Sequence, residues 1–322
     1  MHRFTLLLII LFIINDLSAQ QLPIFTQYRE NHSLLNPATI PSNFIQSDGY
    51  LTSEVGISYR YQWMGLQDAP RTFTARYDRV VDDYNFTIGG TLLSDQTGPT
   101  GVNGGLLRYS YQLAATNNLT VSVGLAGGVL QYAFRGSEGI VRDVGDEIGE
   151  MNFNRTQGEV QLGIFFINEI GRADKLYGGL SVPQLLNFTI SSSTAENMPW
   201  DREPHYYATL GWIKNINGYG TNDLFIEPTL WLKYVPNAPL QLDANFRFQM
   251  VELFWLGTGY SMSMGEAFSS NNVHLEAGFI IGELAGLDGK NLKIGYGYGR
   301  GINTYGPRFG NTHEINLTYS WE

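Results

Sequence analysis

Cysteine is absent from all 322 residues, which excludes disulfides, thiolate zinc sites, iron–sulfur clusters and a cysteine nucleophile together. Charge is scarce, at 16% of the chain, and no polybasic run occurs. Twenty Lys and Arg stand against 30 Asp and Glu, so the net charge of -10 disfavours nucleic acid and anionic lipid as general partners. Phosphate loops and Gly-x-Ser-x-Gly elbows are missing, and no two of His2, His32, His205, His274 and His313 are spaced i, i+4 as a helical zinc site requires. No motif asks for a cofactor or a metal. Beyond residue 20 no apolar run approaches the ~20 residues of a spanning helix, so any membrane crossing there must use strands.

What the chain has is 37 Gly, 19 Tyr and 18 Phe within a hydrophobic content of 43%. That balance suits an all-β chain whose outer surface need not be charged. Residues 1–19 read as a secretory signal peptide: Arg3, nine apolar residues over 6–14, and Leu17-Ser18-Ala19 as the cleavage site. Nine apolar residues are too few for a membrane anchor.

Period-two alternation fills the remainder. Leu240, Leu242, Ala244, Phe246, Phe248 and Met250 alternate with Gln241, Asp243, Asn245, Arg247 and Gln249. Such runs, bounded by turn residues, predict fourteen strands at 51–62, 71–78, 85–93, 104–114, 118–134, 157–168, 175–182, 205–214, 223–234, 240–249, 252–261, 272–281, 291–299 and 313–321. Alternation alone fits a soluble sandwich as well as a barrel. Loop lengths favour the barrel, because the seven loops of one end total 90 residues and the six turns of the other total 34. Long loops outside, short periplasmic turns and an even strand count are the pattern of a transmembrane up-and-down antiparallel β-barrel. The domain plan is then a leader over 1–19, an N-terminal periplasmic segment over 20–50 and an outer-membrane barrel over 51–322. Apolar side chains would face lipid and polar ones the lumen, with Tyr61, Trp63, Trp212, Tyr234 and Trp321 in the interfacial girdles. Glycines at alternate positions from Gly295 to Gly301 would let that strand bend or a plug approach it.

Two sites remain for chemistry. Asp143, Asp146, Glu147 and Glu150 share a loop but lack calcium-hand spacing, and read as a solvated acidic loop. His205 and His274, with Asp201, Glu203 and Glu276 near in sequence, would be the water-activating groups of a rim hydrolase, the minor alternative.

Several phrases occur in order along the chain. These are Gln27-Tyr28 followed by Leu35-Asn36-Pro37-Ala38; Tyr59-Arg60-Tyr61-Gln62-Trp63-Met64-Gly65; Asp95-Gln96-Thr97-Gly98-Pro99; Gly178-Gly179-Leu180-Ser181-Val182-Pro183; Lys233-Tyr234-Val235-Pro236; and His313-Glu314-Ile315. Together they resemble the PorP/SprF family of type IX secretion system outer-membrane proteins. The chain departs from the family at Ala38-Thr39-Ile40-Pro41, where Ala-Tyr-Ala-Gly is more usual, which leaves the local turn open. The resemblance implies an outer-membrane, non-enzymatic component. Its partners would be other secretion components, such as periplasmic ring proteins, and a secreted substrate with a C-terminal sorting domain, a gliding adhesin being one kind. Phe25, Gln27, Tyr28, Asn36 and Pro37 are the candidate partner-binding residues. Their segment could lie on the barrel mouth, plug the lumen or pair with a ring protein. A porin-type channel is the alternative function.

Overall fold

A computed structural model describes residues 25–81, 85–138, 151–171, 174–186, 188–192, 195–216, 224–250, 253–264, 271–282, 286–302 and 306–322. The leader and the acidic loop around Asp143 lie outside them. No helix among them is long and apolar enough to cross a membrane.

Fourteen antiparallel strands form a closed barrel. In chain order they begin with β1 (Ser53–Tyr61), β2 (Arg71–Val81), β3 (Phe86–Thr97), β4 (Thr100–Ala114), β5 (Leu119–Arg135), β6 (Asn152–Ile170) and β7 (Asp174–Val182). A separate hairpin follows, β8 (Phe188–Ser192) with β9 (Ala195–Arg202). The barrel resumes with β10 (Tyr206–Asn215), β11 (Leu224–Tyr234), β12 (Leu240–Met250), β13 (Phe254–Met264), β14 (Asn272–Ile281), β15 (Lys290–Gly301) and β16 (Asn311–Trp321). The last strand closes on the first, with Ser53 opposite Trp321 and Tyr61 opposite His313. All fourteen expected strands are barrel strands.

The alternation sorts side chains with polarity reversed relative to a soluble core. Along β12 the polar Asp243, Asn245, Arg247 and Gln249 are buried, while Ala244 and Phe246 between them are exposed. Leu107, midway along β4, is 76% exposed, whereas its neighbour Arg108 is 5% exposed. An apolar exterior around a polar interior is stable only where hydrocarbon, not water, is outside. Tyr61 and Tyr234 lie at the long-loop ends of their strands, Trp212 and Trp321 near the short-turn ends.

Several features differ from expectation. Residues 94–103, expected as a loop, are mostly strand: β3 and β4 continue until Thr97 faces Thr100 across Gly98 and Pro99, with Gly98 at φ +55°. A two-residue turn suits glycine at positive φ, so the ladder has no reason to stop earlier. The expected loop 183–204 contains the hairpin β8–β9. Trp63 takes φ +55° beyond the end of β1 and lays its ring 5.8 Å from that of Phe309, which turns it away from the lipid-facing row. Pro228 lies within β11, where β10–β11 pairing lapses between Gly211 opposite Thr229 and Lys214 opposite Ile226, as the missing proline N–H requires.

Candidate functional site

The lumen holds the chain's own N-terminal segment. A fourteen-stranded cylinder is wide enough to leave a channel, yet residues 25–41 are all buried, and helical turns at Tyr28–Asn31, His32–Leu35 and Ser42–Gln46 fill its interior. The segment enters high, toward the long-loop end, and descends to the short-turn mouth. At its upper end the N–H groups of Thr26 and Gln27 donate to the Glu314 carboxylate at 2.7 and 3.1 Å. At its lower end Lys175 Nζ donates to the Ile45 carbonyl at 2.5 Å and pairs with Asp48.

Between those ends the wall is matched to the plug residue by residue. The Tyr28 hydroxyl donates to Thr229, and its ring lies 5.2 Å from that of Trp231. Arg29 meets Glu227 at 3.0 Å and Glu276 at 3.4 Å. Glu30 faces Arg76 at 3.7 Å and Arg247 at 3.8 Å. Asn31 donates to Ser58 at 3.0 Å and accepts from Thr74 at 2.6 Å. Asn36 donates to the carbonyls of Ile164 (3.1 Å) and Leu180 (3.4 Å), while its own oxygen accepts from the Ala38 N–H at 2.9 Å. Arg108 donates to the carbonyls of Pro37 (3.0 Å) and Thr39 (2.8 Å). Polar groups that leave water need such partners, and here most of them cross between plug and wall.

Glycines make room for this approach. A Cβ at Gly163 would overlap the Asn36 carboxamide, and one at Gly124 would overlap the backbone of Pro37 and Ala38. At Gly295 it would meet Gln27, and at Gly297 Thr26 Cγ2 at 3.1 Å. The glycine row on β15 therefore serves the plug, one of the two uses its spacing suggested.

Burial drives the electrostatics of the segment. Burial, then the Arg76 cation, holds the His32 imidazole below its ordinary range. Burial also opposes the Glu30 carboxylate, but Lys293, Arg247 and Arg76 outweigh it and leave its pKa low. His32, Glu54 and Asp78 bring ligand atoms within 4.8 Å of one another. A cation there would compete with guanidinium groups already in place: Arg76 pairs with Glu54 and sits 3.3 Å from Asp78, and Arg108 sits 2.6 Å from Asp78.

The five candidate partner-binding residues are thus together in the lumen, with Phe25, Gln27, Tyr28, Asn36 and Pro37 all buried against their own barrel. Sequence reasoning missed their wall partners Thr229, Glu227, Arg108, Gly124 and Gly163. The available signal was glycine at lumen-facing positions of β5 and β6. The rim histidines do not form an evident pair: His205 Nδ1 lies 3.0 Å from the Glu203 carbonyl, and His274 packs beside Gly259 and Asn245. The side chain of Asp201 lies outside the described residues. At the girdle, Arg71 covers the Tyr61 ring at 4.9 Å, Lys214 covers Trp212 at 4.6 Å, Tyr234 packs 6.1 Å from Tyr206, and Trp321 packs 5.6 Å from Tyr319. Trp63 lines a small outer cavity with Phe25.

A family model described as type IX secretion system membrane protein PorP/SprF matches residues 17–319. No curated protein is significantly similar to the chain. Among solved structures the chain is similar to the CymD monoaromatic hydrocarbon channel, at 10% identity and TM-score 0.51 with 94% of each chain covered. It is similar to a TodX deltaS2S3 mutant monoaromatic hydrocarbon channel, at 11% identity and TM-score 0.50 with 90% of this chain and 94% of that one covered. A Pseudomonas aeruginosa FadL homologue follows at 10% identity and TM-score 0.49, covering 90% and 93%. At such identities the likeness concerns the fold, an outer-membrane barrel.

Proposed function

The chain belongs to the PorP/SprF family of type IX secretion system membrane proteins, and from that premise we propose that it is a closed anchoring subunit that catalyses no reaction. It binds other secretion components, periplasmic ring proteins among them, or a substrate bearing a C-terminal sorting domain, and holds them at the outer membrane. One observation carries this reading: residues 25–46 occupy the lumen and cross-link its wall from β1 to β16. A pore needs that space empty, whereas a scaffold gains rigidity from filling it. Phe25, Gln27, Tyr28, Asn36 and Pro37 serve the scaffold by seating the plug, and partners meet the two ends.

Loss of the gene should remove one or more C-terminally signalled proteins from the secreted and surface fractions, measured by comparative proteomics. Unchanged fractions would overturn the reading. The porin-type channel is the second reading, favoured by a lumen wall that is polar throughout β12 and β16 and would be wet once the plug left. Planar-bilayer recording separates the two: the purified scaffold is silent, and steady open pores favour the channel.

A further inference from the structure

The short-turn mouth is filled unevenly. On one side the lower end of the plug is hydrogen-bonded to β12, β15, β16 and β1: Gln46 Oε1 accepts from Lys293 (3.1 Å) and Gln249 (3.3 Å), and Asn43 donates to Glu54 (2.8 Å) and Ser320 (2.7 Å). On the opposite side, between the plug and β4–β7, a groove of about 510 Å³ stays open to the periplasmic face. Phe44, Ile45 and Ile167 give it an apolar floor, and the turn residue Asn118 and the strand ends at Glu169 and Asp174 give it a polar rim.

The rim charge is unbalanced. Among the described residues that line it, Asp48, Glu169 and Asp174 stand against Lys175, a formal charge of -2, with Lys214 just outside the lining. Lys175 is already bound to Asp48 and to the Ile45 carbonyl. Asp174 accepts from the Asn215 N–H at 3.0 Å and lies 4.0 Å from Lys214 Nζ. Glu169 is exposed, and its carboxylate has no hydrogen-bond or ion-pair partner among the described residues. An apolar floor beside an uncompensated carboxylate is complementary to an apolar side chain flanked by a cation.

We propose that this groove is the docking site of a periplasmic partner segment that sets one aromatic or large aliphatic side chain against Phe44 and Ile45 and a Lys or Arg beside Glu169. The proposal rests on the reading above that a secretion partner meets the barrel from the periplasm. A segment so placed abuts Lys175, the residue that fastens the lower end of the plug.

The test is fluorescence anisotropy on the full chain in detergent, against empty micelles, with three labelled synthetic hexapeptides. One carries tryptophan flanked by two arginines, the second replaces the arginines with glutamates, and the third replaces the tryptophan with alanine. The first should bind, and the other two should bind at least about tenfold more weakly. Glu169→Lys and Asn118→Trp, both at exposed positions, should each weaken the first peptide by about tenfold, with Glu169→Gln between them and the unaltered chain. Heat-modifiable gel migration verifies that each barrel is folded. Equal binding of the three peptides, absence of binding, or variants that bind like the unaltered chain would overturn the proposal. In cells the two ideas fail separately. Normal export in the deletion strain removes the secretion reading, whereas full restoration of lost export by the Glu169→Lys, Asn118→Trp double variant removes the groove alone.

Discussion

Arg29 of the plug and Glu227 of β11 meet at 3.0 Å, with side chains only 4% and 3% exposed. The pair joins a segment that could leave to a wall that cannot. Removing Glu227 leaves Arg29 with Glu276 alone at 3.4 Å, so the cost falls below the about 3–5 kcal/mol of a fully stranded buried charge. Glu227→Gln should therefore loosen the plug without unfolding the barrel. The measurement is planar-bilayer conductance: opening events should appear in Glu227→Gln and be absent or rare in the unaltered chain. Silence in both, with folded barrels, would mean that the plug does not depend on this pair.

The glycine contacts give a steric test that owes nothing to charge. Gly163 faces the Asn36 carboxamide, and a Cβ there has no room, while at Gly158 on the same strand nothing lies within 4 Å. Gly163→Val should displace the Asn36-Pro37-Ala38 stretch and raise amide hydrogen exchange over residues 25–46. Gly158→Val should leave exchange there unchanged. Equal protection in the two variants would show that the close approach is not needed.

Acid should weaken the seating of the plug. His32 faces Glu54 and Asp78 at 3.9 Å each, with Arg76 and Arg108 paired to the same carboxylates. Its docked pKa lies below the ordinary value of about 6.5, so a proton binds the released segment more readily than the docked one. The stabilisation is complete above about pH 6.5 and declines as pH falls through the window below it. Glu30, also lowered, acts with the same sign at more acidic pH. Open-channel probability should rise between pH 7.5 and about 5.5, and His32→Gln should flatten that rise.

The membrane itself is tested at Leu107, outward-facing and midway along β4. In hydrocarbon Leu107→Arg should cost about 2–4 kcal/mol of folding free energy, read from urea titration in liposomes. On a water-exposed surface the same change would cost almost nothing.

The barrel was legible because its side chains alternate between two solvents, and a period of two survives in any single strand such as β12. The extra length of β3 and β4 was not, because Asp95, Gln96 and Thr97 resemble loop residues until Gly98 and Pro99 are seen as a two-residue turn. The lumen position of 25–46 stayed one of three options for a related reason. Gln27, Asn31, Asn36 and Asn43 are as polar as any solvated terminus, and only their partners reveal that they are buried. Those partners lie far along the chain, Glu314 at one extreme, and their pairing follows from closure of the sheet, not from local spacing.

Closure also dictates a sequence of events. Since Ser53 is bonded beside Trp321, the cylinder cannot shut until its final residues have been delivered, and what it encloses is the stretch that precedes its first strand. Asn43 is bonded to Glu54 on one side of that seam and to Ser320 on the other, so the join between first and last strand and the seat of the cork are one and the same place.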